Sequence, residues 1–401
     1  MSHEQDTLCI AKINDGDINS ASVIEENGSF DLSLPRDHET KIAIECIEYA
    51  RIQSADEDGD ERNFINNDES SVSGTYTQEG FVKQGGEHEP QICHAKYFRP
   101  GYFDKQTSTW HDHCTGRWVD VSARYDEKSG LESPLTKNNC PYVARKKDPI
   151  WISFIGDSVT RQIYTQGLHE RGFKLKNQTW KDPFFFLAQV IIDDDSEEKT
   201  SPPQEVWLSY RFVFVSGGRM DGTMWQIPYT WGDFMEQRGE GPRDDDPNFP
   251  ISKIPDIVFF SPGYHASVMN AAAYGSITER LLDQWQATLN VYYNAPMPEV
   301  HLMLNMMPAP WMIPNKYEGD RPYRTLLNEY RKNLALLEVA NKFDFVKSVV
   351  DFFYIELPFN GEPGMTAHRD AVHLGDHRVL HIAGDRVIEA ICNPADFPPQ
   401  E

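Results

Sequence analysis

From Pro149 onward the chain alternates between two kinds of segment, and this alternation restricts the fold more than any other feature. Five apolar runs have strand length: IWISFIG, VWLSYRFVFVS, PDIVFFS, EVHLMLN and FDFVKSVVDFFYI. They are almost continuously apolar, as strands buried on both faces are. Between them lie longer stretches with helical spacing. SVTRQIYTQGLHERG sets Val159, Ile163, Gln166 and Leu168 in one stripe and stops at Gly172. ITERLLDQWQATLNVYY does so with Ile277, Leu281, Leu282, Trp285 and Leu289, and YRTLLNEYRKNLALLEVANK with Leu326, Leu327, Tyr330, Leu334 and Leu337. Buried strands alternating with amphipathic helices fold as a parallel sheet with helices on both faces. The expected class is α/β, an αβα sandwich with a central parallel sheet over residues 148–401. Ligands of such sheets bind at the carboxyl ends of the strands, so the loops after the apolar runs hold the candidate site.

The upstream chain divides in two. Residues 1–90 carry 21 Asp and Glu against 6 Lys and Arg, which accounts for −15 of the net charge of −24. Within them Ser54–Glu89 is acidic and poor in aliphatics and reads as a disordered linker or long loop. The stretch before it, SFDLSLPRDHETKIAIECIEYARI, has short apolar runs suited to a small β-structure. Residues 91–147 hold Cys93, Cys114, Cys140 and several aromatics, among them Tyr97, Phe98, Tyr102, Phe103, Trp110 and Trp118, but few long aliphatics. Such a segment is expected to pack on the following domain rather than to build its own core.

Several partners are disfavoured. The acidity argues against nucleic acid, which needs a basic surface. No apolar run approaches the roughly 20 residues of a membrane span. The first 30 residues lack the basic start and apolar stretch of a signal peptide, which taken alone points to the cytoplasm. Oligomeric state is not encoded in these patterns. The six cysteines, Cys9, Cys46, Cys93, Cys114, Cys140 and Cys392, form no CxxC pair, so no metal set is expected from them. An even count permits disulfides and equally permits free thiols. Asn27 and Asn177 head glycosylation sequons, and Asp244–Asp246 lacks EF-hand spacing for calcium.

After the first apolar run comes Gly156-Asp157-Ser158, followed at once by a helical stripe. Two readings stand side by side. Asp157 or Ser158 caps the helix, or Ser158 presents a nucleophilic hydroxyl whose own N–H, at a helix N-terminus, favours an oxyanion. Far downstream, Asp370-Ala371-Val372-His373 precedes the last helix. An Asp three residues before a His on a turn orients it through Nδ1 and leaves Nε2 to take a proton from a serine. The alternative is that Asp370 caps a helix and His373 packs, with His368, His377 and His381 nearby. His368-Arg369-Asp370 also mimics a kinase catalytic loop, but the downstream Asn, glycine-rich loop and strand Lys of a kinase are missing.

Together, FIGDSVTRQIY and DAVHL…IEAIC resemble the first and last blocks of SGNH/GDSL hydrolases. The finer similarity is to the PC-esterase branch, which includes trichome-birefringence-like polysaccharide O-acetyltransferases, the luminal domain of sialate O-acetyltransferases and neurexophilin-and-PC-esterase proteins. GYFDKQTSTWHDHCTGRWVD…NNCPY resembles the Cys- and Trp-bearing segment that precedes GDS in that branch. The resemblance spans about Cys93 to Cys392 and implies a flavodoxin-like αβα sandwich. It implies Ser158 as nucleophile, His373 as general base and Asp370 as its orienting partner. For the oxyanion hole it implies Ser158 N–H, with Gly217 or Gly218 and Gly263 as further donors. His265 stands where the wider superfamily has Asn. Arg161, His265 and Asn305 are candidate substrate-binding residues, and Trp225, Tyr229 and Trp231 either stack on sugars or lie in the core.

The implied function is acyl-ester chemistry on carbohydrate, as O-acetyltransferase or O-acetyl esterase, through an acyl-serine. No tightly bound cofactor is implied, only an acetyl donor for a transferase. The rival is a non-catalytic secreted binding protein on the same fold. The resemblance also implies the secretory pathway, and there at least one bond among Cys93, Cys114 and Cys140 is expected.

Overall fold

The computed structural model describes residues 6–15, 18–24, 30, 39–49, 72–83, 101–111, 118–122, 140–146, 149–171, 173, 175–192, 204–214, 226–241, 244–263, 269–305, 326–359 and 373–392. Two seven-stranded sheets organise them. The first is antiparallel. It contains β1 (Asp6–Asp15), β2 (Ile18–Ile24), β3 (Glu39–Tyr49), β4 (Val72–Lys83), β5 (Tyr102–Asp104), β6 (Thr109–His111) and β7 (Trp118–Asp120), in the order β4-β3-β1-β2-β5-β6-β7. Period two sorts its side chains. Leu8, Ile10, Ala21 and Val23 turn to one face and pack on Leu327, Phe353 and Leu357, while Ile13, Ile18, Ile42 and Tyr102 cluster apart from them. Cys9 and Cys46 are cross-strand neighbours joined by a disulfide.

This sheet differs from expectation in two ways. β4 lies inside the stretch read as a linker and pairs with β3 from Glu39 to Tyr49. Backbone pairing needs no aliphatic side chains, which is why the polar composition misled. The sheet also runs across the boundary at residue 90, since β2 pairs with β5.

The second sheet is mostly parallel. After the short α1 (Pro141–Ala144) come β8 (Ile150–Gly156), α2 (Ser158–Gln162) with a π-helical continuation (Ile163–Leu168), β9 (Lys176–Lys181), β10 (Phe185–Ile192) and β11 (Gln204–Phe212). Then follow α3 (Trp231–Gln237), β12 (Ile257–Phe260), α4 (Ala271–Thr288), β13 (Glu299–Met303), α5 (Leu326–Lys342), β14 (Val346–Val350), α6 (Phe352–Glu356) and α7 (His377–Cys392). The strand order is β14-β13-β12-β8-β11-β10-β9. The five strands from β14 to β11 run parallel, and β10 and β9 close the edge antiparallel. β8 is buried along its whole length. Its Ile150, Ile152 and Phe154 meet Ile163, Leu168 and, from α7, Val379, Leu380 and Val387. On the opposite face Val258, Phe260, Val300 and Leu302 meet Ile277, Leu281 and Trp285 of α4 and Leu336 and Val339 of α5. The class is therefore mixed α/β, with helices on both faces of the mostly parallel sheet.

Local departures have physical causes. FDFVKSVVDFFYI is not one strand. Asp351 interrupts it, accepts a hydrogen bond from Tyr354 N at 3.1 Å and starts α6. The buried face of α5 also includes Glu329, Lys332 and Asn333, while Leu334 of the expected stripe is 40% exposed. Trp231 is core, edge-to-face with Trp151 at 5.1 Å, so it is no sugar platform. Tyr229 is half-buried against the α4 side of the sheet, and Trp225 lies outside the described residues. Cys140 pairs with Cys392, tying the start of α1 to the end of α7. The pairing expected within Cys93, Cys114 and Cys140 thus does not include Cys140. Cys93 and Cys114 lie outside the described residues. Asp246 serves a turn, accepting from Trp231 Nε1 and Asn248 N. Asn177 is exposed on β9. No described helix is long and apolar enough to cross a membrane.

Candidate functional site

β8 ends at Gly156, and the chain turns straight into α2. Thr160 folds back onto Gly156 so closely that a Cβ there would overlap its Oγ1. Asp157 is extended, and its buried carboxylate accepts a hydrogen bond from Val159 N at 2.9 Å. Asp157 is therefore the N-cap, and Ser158 is the first helical residue. Ser158 N–H and Oγ enter no hydrogen bond among the described residues. The Asp157 carbonyl accepts from Tyr210 OH at 2.8 Å. Burial, and then the Asp157 charge, push the Tyr210 phenol well above its ordinary pKa, so it remains a donor.

One turn along α2, Gln162 reaches the other end of the chain. Its Nε2 donates to Leu374 O at 2.5 Å, and its Oε1 accepts from Leu374 N at 3.0 Å. A carboxamide presents the same donor and acceptor as a peptide unit, so it holds the segment at 373–374 as a neighbouring strand would. His373 is the adjacent residue. It is half-buried, and its Nε2 atom is shielded from solvent. No hydrogen bond joins Ser158 Oγ to His373 Nε2. Asp370 lies outside the described residues.

Replacing Gln162 by alanine leaves the buried N–H and C=O of Leu374 without this partner. The expected cost is about 1–3 kcal/mol, read as a lower urea midpoint at unchanged slope. Gln162→Glu is expected to recover only part, because its carboxylate accepts from Leu374 N but donates nothing to Leu374 O.

The other candidates sort themselves by their bonds. Gly263 has φ +92°, and a Cβ would come within 3.2 Å of Phe214 Cβ and 3.4 Å of Asp157 Cβ. The loops after β8, β11 and β12 therefore converge there. Its N–H, expected to face an oxyanion, instead donates to Ser261 Oγ at 3.2 Å, and its carbonyl accepts from Tyr274 OH. Asn305 is buried. Its Oδ1 accepts from Tyr274 OH, its Nδ2 donates to Glu329 Oε2, and its backbone pairs with the Asn333 carboxamide. Each end of the Asn305 carboxamide thus makes one bond within the protein. Behind it Lys332 Nζ bonds Glu329 Oε1 at 2.9 Å, with both side chains 1% exposed. Burial first, then the Glu329 charge, hold the Tyr274 phenol well above its ordinary pKa.

Arg161 Nη1 donates to Pro183 O at 3.1 Å, tying the turn between β9 and β10 to α2. Beside it Phe184 is exposed and packs edge-on against Phe212 at 5.1 Å, which in turn meets Phe214. An aromatic rim thus stands next to the start of α2. Gly217, Gly218 and His265 lie outside the described residues. Sequence reasoning missed Tyr210 and Phe184, and met Gln162 only within the FIGDSVTRQIY resemblance. Only Gln162 carried a signal, four residues after Ser158 and so on the same helix face.

Comparison with known protein families, curated proteins and solved structures gives no significant match to this chain.

Proposed function

We propose that the chain is an acyl-ester enzyme of the SGNH type that works on O-acetyl groups of carbohydrate. Ser158 is the nucleophile, His373 the general base and Asp370 the residue that orients it. His373 takes the hydroxyl proton as Ser158 Oγ attacks the ester carbonyl. The sugar oxygen leaves with that proton, and water or a second sugar hydroxyl then accepts the acetyl group and restores the serine. Ser158 N–H is the first oxyanion donor. The observation that carries this reading is the Gln162 clamp, which fixes the His373 segment one helical turn from Ser158. The capping role of Asp157 adds to it, because it leaves the Ser158 hydroxyl uncommitted. Phe184 and Arg161 supply an aromatic and cationic rim suited to a sugar. The disulfides Cys9–Cys46 and Cys140–Cys392 suit an oxidising, secretory compartment.

One observation favours a second reading, a glycan-binding protein without catalysis: Ser158 Oγ is not bonded to His373 Nε2. Catalytic hydrogen bonds are often long without substrate and tighten with it. The discriminating experiment offers the purified protein acetylated glycans, and separately an acetyl donor with deacetylated glycans. Release or transfer of acetate supports the enzyme. Glycan binding with no change in acetylation supports the alternative.

A further inference from the structure

At the end of the helix that begins at Ser158, three side chains from two helices meet. Glu170 ends the helix that begins at Ser158, and His377 and His381 stand one turn apart at the start of α7. One donor atom from each lies within 4.8 Å of the other two. Glu170 Oε2 is 2.7 Å from His381 Nε2 and 3.4 Å from His377 Nδ1.

The protons of His381 decide what belongs there. Its Nδ1 lies 2.6 Å from the carbonyl of Val121. A carbonyl only accepts, so Nδ1 carries the hydrogen. In a neutral imidazole Nε2 then holds a lone pair, and that lone pair faces the Glu170 carboxylate. Two acceptors at 2.7 Å repel unless a positive charge sits between them. That charge is either a second proton on His381 or a metal ion. The Val121 carbonyl is the partner a metal-bound histidine takes on its other nitrogen, fixing tautomer and ring plane.

The surroundings favour the ion. His377 and His381 are four residues apart on one helix face, and His377 adds a third donor that a simple His–Glu pair has no use for. Metal–ligand bonds of about 2.1 Å place tetrahedral ligands about 3.4 Å apart, which is the spacing of His377 and Glu170, while the 2.7 Å between His381 Nε2 and Glu170 Oε2 has to widen by roughly 0.7 Å to admit the ion. Neighbouring charges are matched: Arg171 chelates Asp385 with contacts of 2.9 and 2.7 Å, and Arg378 bonds Asp376. Two imidazoles and one carboxylate with a fourth position open are one of the ligand sets that bind Zn²⁺.

We propose that Glu170, His377 and His381 form a zinc site of three protein ligands, open on the solvent side where His377 is 56% exposed. Its role is positional. It joins the end of the helix after Ser158 to the first turn of α7, four residues beyond His373, and the Val121 carbonyl ties in the chain after β7. The site is independent of the acyl-transfer reading.

The test uses the full chain stripped of metal by a chelator and titrated with Zn²⁺ by calorimetry. One saturable site per chain with Kd at or below about 10 μM is expected, together with a rise in Tm. His377→Ala is expected to weaken binding at least about tenfold and to abolish the rise in Tm. His377 is exposed, so its replacement leaves the core packing in place, and circular dichroism checks this. His169→Ala, an exposed neighbour outside the cluster, is expected to bind as the wild type does. Absence of saturable binding in the wild type, or equal binding by the wild type and His377→Ala, overturns the proposal. So does a loss that His169→Ala reproduces.

Discussion

Ser158→Ala is expected to lower turnover of an aryl acetate by about three orders of magnitude or more, with little change in stability. The two halves of this expectation rest on one feature. A serine that caps a helix is worth about 1 kcal/mol when lost, and an activity defect is then hard to separate from a folding defect. Here Asp157 is the cap, and the Ser158 hydroxyl bonds to nothing described. Alanine at the first helical position is among the best residues for a helix, so the change in unfolding free energy should stay within about 0.5 kcal/mol. Turnover on 4-nitrophenyl acetate and urea unfolding measure the two quantities independently. Undiminished turnover removes Ser158 from the mechanism, and equal loss in activity and stability returns it to a structural role.

Lys332→Met should cost about 3–5 kcal/mol of unfolding free energy, the range for stranding one charge of a buried pair. The substitution keeps the length and apolar volume of the stem. What it removes is the ammonium 2.9 Å from Glu329 Oε1, at a position closed to water. The carboxylate then keeps its bond from Asn305 Nδ2 but loses its counter-charge. Adding Glu329→Gln is expected to restore much of the loss, because the glutamine carbonyl still accepts from Asn305 and no charge remains to be buried. A cost below about 1 kcal/mol for Lys332→Met would mean that the network is held by shape alone. The variant also bears on the site, since Asn305 and Tyr274 lead from this pair to Gly263 and the loop against Asp157.

The parallel strands were legible because burial on both faces leaves a continuous apolar signature. β9 was not, since KNQTWK is exposed throughout and reads as loop, whereas the apolar run FFLAQVII of β10 carried the signal and was passed over. The inward face of α5 was misjudged because Glu329, Lys332 and Asn333 satisfy one another and Asn305, a relation among distant residues that no local period reports. The same holds for the partner of Cys140, 252 residues away. At the site, Gly156, Asp157 and Ser158 announced themselves as a turn at a strand end. Gln162 was seen only as part of a resemblance, because its meaning depends on Leu374. The His377–His381 spacing was visible, but the third ligand, Glu170, has no signature of its own. Asn305 and Gly263 stand at strand ends as expected, and their internal bonds were not legible, since a buried polar side chain looks the same in sequence whether it faces a ligand or a neighbour.

The disulfide between Cys140 and Cys392 also bears on how the chain is made. Synthesis is vectorial, and at about 5–20 residues per second the ribosome needs on the order of 10–50 s to travel from Ser158 to Cys392. Throughout that interval the nascent sheet has β8 and α2 but lacks α7, so Ile163 and Leu168 remain uncovered. Cys140 waits as a thiol for the same period, open to wrong partners. When α7 arrives it covers that face, closes the bond and delivers Leu374 to Gln162 in a single late event. Nascent chains released before that point would carry Gln162 without the Leu374 backbone that it binds in the folded chain.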